Sequence, residues 1–237
     1  MFSWFSNKQK IHTTTDIHSH LVPGIDDGVK STSEALTILR KLASWGYERV
    51  ITTPHIYAEY YPNTPEVIKS GVARVQEAAQ AEGIPVKLEA AAEYFIDETL
   101  MERLKNKEEL LCFGKGRYVL VETGFYSKPL IFQEVMFAMK TQGYTPILAH
   151  PERYEYLQSD FGWLRQIREQ GVKLQVSIPS LAGLYGPQPR AIAQKLFGES
   201  LVDFVGSDIH KPGQLEVLKK GLQVKVKPNN LLNDHIG

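Results

Sequence analysis

The strongest constraint on this chain is an alternation that runs through almost all of its 237 residues. Short, mostly apolar runs rich in β-formers are each followed by a helix-like segment. The predicted strands are Thr13–His18, Arg49–Thr53, Val86–Ala92, Tyr118–Glu122, Thr145–Ala149, Val172–Ser177 and Leu201–Gly206. Continuous apolar runs of this length suit a parallel sheet buried on both faces. Between them, Ser31 with Glu34 three residues on reads as a capping box for a helix ended by Gly46. Thr64–Pro65–Glu66 supplies a cap and a first-turn proline for a helix that stops at Gly83. Further helices are expected over Glu98–Leu110, Pro129–Gln142, Pro189–Phe197 and Gly213–Leu222, and Ser159 is the candidate cap of one ending at Gly171.

Seven β-then-α units in about 220 residues favour one α/β barrel over two domains. A doubly wound open sheet is the alternative, but it usually carries a Gly-rich turn after its first strand. Here that strand ends in His18–Ser19–His20. The charge is balanced, 27 Lys+Arg against 27 Asp+Glu, which argues against a dedicated nucleic-acid binder. A lone cysteine, Cys112, excludes an intrachain disulfide and fits a reducing compartment. No apolar run reaches the ~18 residues of a membrane span, and Met1–Phe5 is too short for a signal-peptide core. A cytoplasmic protein is the expectation.

Nearly every predicted strand ends in a residue that can bind a metal. In order they are His18 and His20, then His55, Glu93, Glu122, His150, and finally Asp208 with His210. Barrel active sites form at the C-terminal ends of strands, so these positions converge there. Five of the seven histidines belong to the set; His12 and His235 lie near the termini and read as solvated. Asp26–Asp27–Gly28 is a turn signal that also offers a carboxylate arm over the barrel mouth. Imidazole and carboxylate without thiolate suit Mn, Fe or Zn. The donors exceed what one ion needs, so two or three ions are implied, with a carboxylate such as Glu93 bridging. Such sites cleave phosphate esters.

Asp16–Ile17–His18–Ser19–His20–Leu21–Val22–Pro23–Gly24–Ile25–Asp26–Asp27–Gly28 resembles the first motif of the CpsB/YwqE-type bacterial tyrosine phosphatases. These belong to the PHP (polymerase and histidinol phosphatase) superfamily. Thr53–Pro54–His55, Ala92–Glu93, Val121–Glu122, Leu148–Ala149–His150–Pro151–Glu152–Arg153–Tyr154 and Ser207–Asp208–Ile209–His210 match the later motifs in order, over about residues 13 to 215. The resemblance implies a distorted (β/α)7 TIM-like barrel of the PHP type, one phosphatase domain over residues 1–237 with 1–12 as an N-terminal extension. It implies Mn2+ as cofactor, in two or three ions, with Fe or Zn as alternatives. His18, His20, Glu93 and Asp208 would hold one ion, Glu93, Glu122 and His150 the second, and Asp27, His55 and His210 the third. Arg153 would bind phosphate, and His210 or a bound water would protonate the leaving phenolate. The implied substrate is the phosphorylated tyrosine-rich tail of a bacterial tyrosine kinase that governs capsular or extracellular polysaccharide synthesis. Two features, at three positions, depart from the family pattern. Ser177 stands where Asn is common, and Lys211 and Leu215 stand where many members carry a second Arg.

Two other functions compete. One is a small-molecule phosphatase, such as one acting on histidinol phosphate, which needs the same metals. The other is a non-catalytic regulatory domain that binds the phosphorylated tail, for which lost ligands are expected. The run Cys112–Phe113–Gly114–Lys115–Gly116–Arg117 imitates the Cys-x5-Arg loop of thiolate phosphatases but is one residue short and precedes a strand. Tyr57, Tyr60 and Tyr61 after His55, and Phe125–Tyr126 after Glu122, would either stack on a phosphotyrosine ring or pack loop edges. Phe2, Trp4 and Phe5 read as a frayed or self-packed tail, with membrane or partner docking as the alternative.

Overall fold

Residues 8–157, 160–227 and 229–237 are described in the computed structural model. In chain order they form β1 (Gln9–Lys10), β2 (Thr15–Asp16), α1 (Thr32–Ser44), β3 (Arg49–Thr52), β4 (His55–Ile56), α2 (Pro65–Ala81), β5 (Lys87–Ala90) and β6 (Glu93–Phe95). Next come α3 (Glu98–Lys105), β7 (Tyr118–Glu122), α4 (Phe132–Thr141), β8 (Thr145–Ala149), α5 (Phe161–Glu169) and β9 (Lys173–Ser177). The rest is α6 (Ile178–Leu181), α7 (Pro187–Gly198), β10 (Phe204–Gly206), α8 (Leu215–Gln223) and β11 (Lys225–Val226). The result is a mixed α/β fold with parallel sheets.

One parallel sheet has the order β10-β9-β8-β7-β6-β4 and another the order β2-β3-β5. The predicted strands Arg49–Thr53 and Val86–Ala92 appear as β3 and β5, and each is followed after a two-residue gap by a short strand of the other sheet, β4 and β6. Thr52 pairs with Ala90 and His55 with Glu93, so the register is unbroken across the gap. Pro54 sits in the gap and has no N–H to donate. The segment after β2 bonds to both sides: Thr53 N donates to Ser19 O at 2.7 Å, and His20 N donates to Ile209 O at 3.0 Å. An antiparallel pair, β1 with β11, ties residues 9–10 of the expected N-terminal extension to the C-terminal segment.

Alternation along the strands separates two apolar clusters. In β7, Val119 and Val121 join the large cluster that includes helix residues such as Leu39, Val135 and Leu196, whereas Leu120 joins Ile17, Ile51, Ala91, Ile147 and Phe204 in a second one. Two residues beyond Leu120 on the same face is Glu122, and two beyond Ala91 is Glu93. The pleat therefore carries the inner face of the sheet straight into the acidic candidates.

β7 and β8 match their predicted bounds; other elements differ for local reasons. α3 stops at Lys105 rather than Leu110, because Lys107 turns to φ 55°. Beyond it, the N–H groups of Leu110 and Leu111 donate to the Tyr144 and Tyr94 hydroxyls. α8 starts at Leu215, after a 3-10 turn over Pro212–Gln214. The Ser31 hydroxyl accepts from Glu34 N, but Glu34 answers Lys30 N rather than Ser31 N, so the box is shifted by one residue. Ser159 and the aromatic residues Phe2, Trp4 and Phe5 lie outside the described residues; Asp160 accepts from Trp163 N at the start of α5.

Candidate metal centre

The nine predicted ligands come together at one end of the parallel strands, where β2, β7, β8 and β10 run out and β4 and β6 begin. Glu93, fully buried at the start of β6, lies at the middle. Its Oε2 is 3.1 Å from His18 Nε2, 3.5 Å from His20 Nε2 and 3.4 Å from His55 Nδ1. Its Oε1 is 3.1 Å from His150 Nε2. Asp208 Oδ1 stands 3.3 Å from His18 Nε2, and Glu122 Oε1 stands 2.8 Å from His55 Nδ1. Asp27 Oδ1 is 3.4 Å from both His55 Nε2 and His210 Nε2.

Four overlapping donor groups result: His20, Asp27, His55, His210; His18, His150, Asp208; His18, His20, Glu93; and His55, Glu93, Glu122. The grouping keeps Asp27, His55 and His210 together, and His18, His20 and Glu93 together, as the family resemblance implied, and adds neighbours to both. His55 also stands beside Glu93 and Glu122, where His150 was expected and where His150 Nε2 lies 3.1 Å from Glu93 and 4.0 Å from Glu122. Asp208 also groups with His150. His12 and His235 are exposed, away from the cluster.

Hydrogen bonding behind the ligands tests whether they suit cations. Gln175 Oε1 accepts from His150 N at 3.4 Å and faces His18 Nδ1 at 3.0 Å, so His18 donates through Nδ1. Asp26 Oδ2, 2.9 Å from His20 Nδ1, fixes that ring in the same way. Both Nε2 atoms then carry lone pairs, yet they lie 3.2 Å from one another and face two carboxylates. His210 donates from Nδ1 to the Asp208 carbonyl at 3.0 Å, leaving its Nε2 lone pair toward Asp27. His150 Nδ1 is buried without a hydrogen bond among the described residues, and the buried His55 Nδ1 faces Glu122 Oε1. Lone pairs converging on lone pairs and carboxylates require positive charge between them, and the residues present fit divalent cations.

Protons supply that charge when cations do not. Burial pushes the His18 pKa down, but Glu93 and Asp208 overcome it and raise it to about 9. Burial resists ionisation of Glu93 too, yet His18 and the hydrogen-bonding imidazoles hold its carboxyl well below the usual range. Asp208 is lowered against its burial by His18 and Arg153. His150 runs the other way: burial and the nearby Arg153 lower it, keeping it neutral as a ligand must be. Two ligand positions carry backbone strain, His150 at φ 32° and Asp208 at φ 50°.

The cluster floors a cleft of about 770 Å³ whose walls include Tyr57, Tyr60, Tyr61, Phe125, Tyr126, Arg153, Tyr185 and Lys211. Tyr61 stacks on His55 with ring centroids 5.3 Å apart, and Tyr57 on Phe95 at 4.0 Å. Tyr60 and Tyr126 are exposed at 63% and 79%. Arg153 Nη1 donates to Asp208 Oδ2 at 2.9 Å, and its guanidinium lies over the Phe125 and Tyr185 rings.

Comparison with known proteins decides the lineage of this arrangement. The family model for capsular polysaccharide synthesis, CpsB/CapC, matches residues 14–220. The chain belongs to the CpsB/CapC family. It is 29% identical over 195 residues to the tyrosine-protein phosphatase YwqE of Bacillus subtilis, covering 82% of this chain and 76% of the relative. It is 27% identical over 200 residues to the tyrosine-protein phosphatase CpsB of Streptococcus pneumoniae, covering 82% of each. A crystal structure from work on YwqE and CpsB, described as unique metal-dependent tyrosine phosphatases, superposes with a TM-score of 0.78 at 27% identity, over 87% of this chain and 86% of that one. An amidohydrolase from Mycoplasma synoviae shares the fold at a TM-score of 0.53 and 12% identity, over 94% of this chain and 79% of that one.

Within this CpsB/CapC chain, several residues support the candidate ligands that were not themselves counted among them. Gln175 and Asp26 orient His18 and His20. Asp16 accepts from Ser207 N and Ser207 Oγ, tying the first and last ligand segments together. Asp16, Asp26 and Ser207 lie inside the matched motifs without an assigned ligand role, whereas Gln175 carried no signal of this kind. Of the departures from the family pattern, Ser177 is buried, with its N–H donated to Glu152 Oε1, and Lys211 lines the cleft, while Leu215 is buried in the core. Cys112 is absent from the cleft wall, and burial raises its thiol pKa.

Proposed function

We propose that this chain is a metal-dependent protein-tyrosine phosphatase. Its substrate is phosphotyrosine on the tyrosine-rich tail of a partner bacterial tyrosine kinase, and its role lies in capsular or extracellular polysaccharide synthesis. The observation that carries the reading is a single one: nine imidazole and carboxylate donors, with their lone pairs turned inward, floor an aromatic-walled cleft beside Arg153. The family membership and the names of the relatives support the same chemistry. In this reading residues 1–237 form one phosphatase domain. Its strands form a distorted seven-stranded barrel in this reading, which the bonds from Thr53 N to Ser19 O and from His20 N to Ile209 O support. The site takes two or three manganese ions, and the protein works in the cytoplasm; among the described residues no helix is long and apolar enough to cross a membrane.

His18, His20, Asp27, His55, Glu93, Glu122, His150, Asp208 and His210 hold the ions, with Glu93 shared between donor groups. Bound cations supply Lewis acidity, neutralising phosphoryl charge and making water nucleophilic near neutral pH. Arg153 has five N–H donors and commits one to Asp208, leaving others for phosphoryl oxygens. Asp208 uses Oδ2 for Arg153 and keeps Oδ1 toward His18, so one carboxylate aligns the phosphate-binding group with the metal donors. Tyr57, Tyr60, Tyr61 and Phe125 offer ring faces to the phosphotyrosine side chain. The departing phenolate, with a pKa of about 10, needs little protonation.

Release of phosphate from a phosphotyrosine peptide should stop with a chelator, return with Mn2+, and fall by orders of magnitude in His20→Ala. Activity indifferent to both overturns the reading. Faster turnover of histidinol phosphate than of the peptide would shift the substrate class to small molecules.

A further inference from the structure

Arg153 is braced by a residue outside every motif. Tyr185 lies in the loop between α6 and α7, flanked by Gly183 and Gly186 at φ 85° and 98°. Its ring sits 4.2 Å from the Arg153 guanidinium carbon. Its hydroxyl donates to Asp208 Oδ2 at 3.1 Å, the same oxygen that accepts from Arg153 Nη1 at 2.9 Å. One side chain thus acts on both halves of the Arg153–Asp208 pair. Phe125 also approaches the guanidinium, with its ring centroid 4.9 Å from the same carbon, so two aromatic rings contact the arginine.

We propose that Tyr185 is a positioning residue for phosphate, holding Arg153 by ring contact and by the shared Asp208 oxygen so that its remaining donors stay available to the cleft. The inference rests on the phosphatase reading of this site. An arginine side chain has large rotamer freedom, and fixing it beforehand removes that cost from phosphate binding. The ring supplies cation–π contact, and the hydroxyl occupies a lone pair of Asp208 Oδ2, which favours Oδ1 as the oxygen that faces the metal donors.

The two contributions separate by substitution. Tyr185→Phe keeps the ring and removes the hydroxyl; Tyr185→Leu removes both. Binding of inorganic phosphate to the manganese-loaded protein, measured by calorimetry without turnover, is expected to weaken about tenfold in Tyr185→Leu and about threefold in Tyr185→Phe. Manganese content per chain should stay at the wild-type level, and KM for a phosphotyrosine peptide should rise more than kcat falls. In an Arg153→Ala background, Tyr185→Leu should weaken phosphate binding no further, because the effect runs through the arginine. Wild-type phosphate affinity in Tyr185→Leu overturns the proposal. So does an undiminished loss in the Arg153→Ala background, or a loss that tracks reduced manganese content. If Tyr185→Leu fails to fold, as read by circular dichroism, the near-isosteric Tyr185→Phe decides alone, and wild-type phosphate affinity in it overturns the proposal. Absence of phosphotyrosine hydrolysis by the wild-type protein would count against the phosphatase reading, while the calorimetric cycle would still test Tyr185.

Discussion

Asp26→Asn replaces a single oxygen with nitrogen, yet the surroundings of Asp26 give that change a definite consequence. Oδ2 accepts from His20 Nδ1 at 2.9 Å and from His55 N at 3.2 Å; Oδ1 accepts from Gly28 N at 2.9 Å. All three partners are donors, and burial leaves no water to substitute. An amide nitrogen in the Oδ2 position would face two N–H groups, and His20 would have to move its proton to Nε2, the atom turned toward Glu93. In the Oδ1 position it would face the Gly28 N–H. Either arrangement loses a hydrogen bond to a charged group, about 1.5–3 kcal/mol. Partners that orient metal-bound histidines cost about 10–100-fold in metal affinity when removed. At about 1.4 kcal/mol per decade the two figures agree. Titration of Mn2+ into chelator-treated protein should therefore show a Kd raised about 10–100-fold, with much of kcat recovered at saturating metal. Wild-type affinity in a folded Asp26→Asn protein would refute the orienting role, and so would a kcat loss that no metal concentration relieves.

Three further outcomes are expected. His18 is raised from 6.5 to about 9 because Glu93 and Asp208 outweigh its burial. A raised pKa stabilises the fold fully below the unfolded value and is lost as pH climbs through the folded one. The melting temperature of chelator-treated protein should thus fall between pH 6.5 and 9, and Mn2+ should restore it at pH 9; a flat profile contradicts the account. Gly28→Ala would place its Cβ 2.6 Å from His20 Cβ and 2.8 Å from Asp26 Oδ1, so it should destabilise by about 1–3 kcal/mol and weaken metal binding, as denaturant melts and metal titration would show. Cys112→Ser should keep phosphatase activity within about twofold, and a thiol alkylating agent should not inhibit the wild type; inhibition would reopen a thiolate route.

The fold was legible where local pattern and tertiary context agree. Tyr118–Glu122 and Thr145–Ala149 are apolar runs buried on both faces, and their ends match prediction. Prediction overran at Glu98–Leu110, because the last residues trade helical bonds for the hydroxyls of Tyr94 and Tyr144. A tyrosine hydroxyl arriving from another part of the chain leaves no periodic trace. The same holds for β1 pairing with β11, which joins segments from opposite ends of the sequence.

Sequence alone singled out the imidazoles and carboxylates that converge, since strand alternation and motif spacing are local properties. Only the tertiary structure decided how those donors face one another. The tautomers of His18 and His20 depend on Gln175 and Asp26, the set of Arg153 on Tyr185 and Phe125, and the partner of Glu122 on where β4 lies beside β6. The direction in which a side chain presents a lone pair or a proton is fixed by contacts across the fold, and these carry no spacing that a reading along the chain can detect.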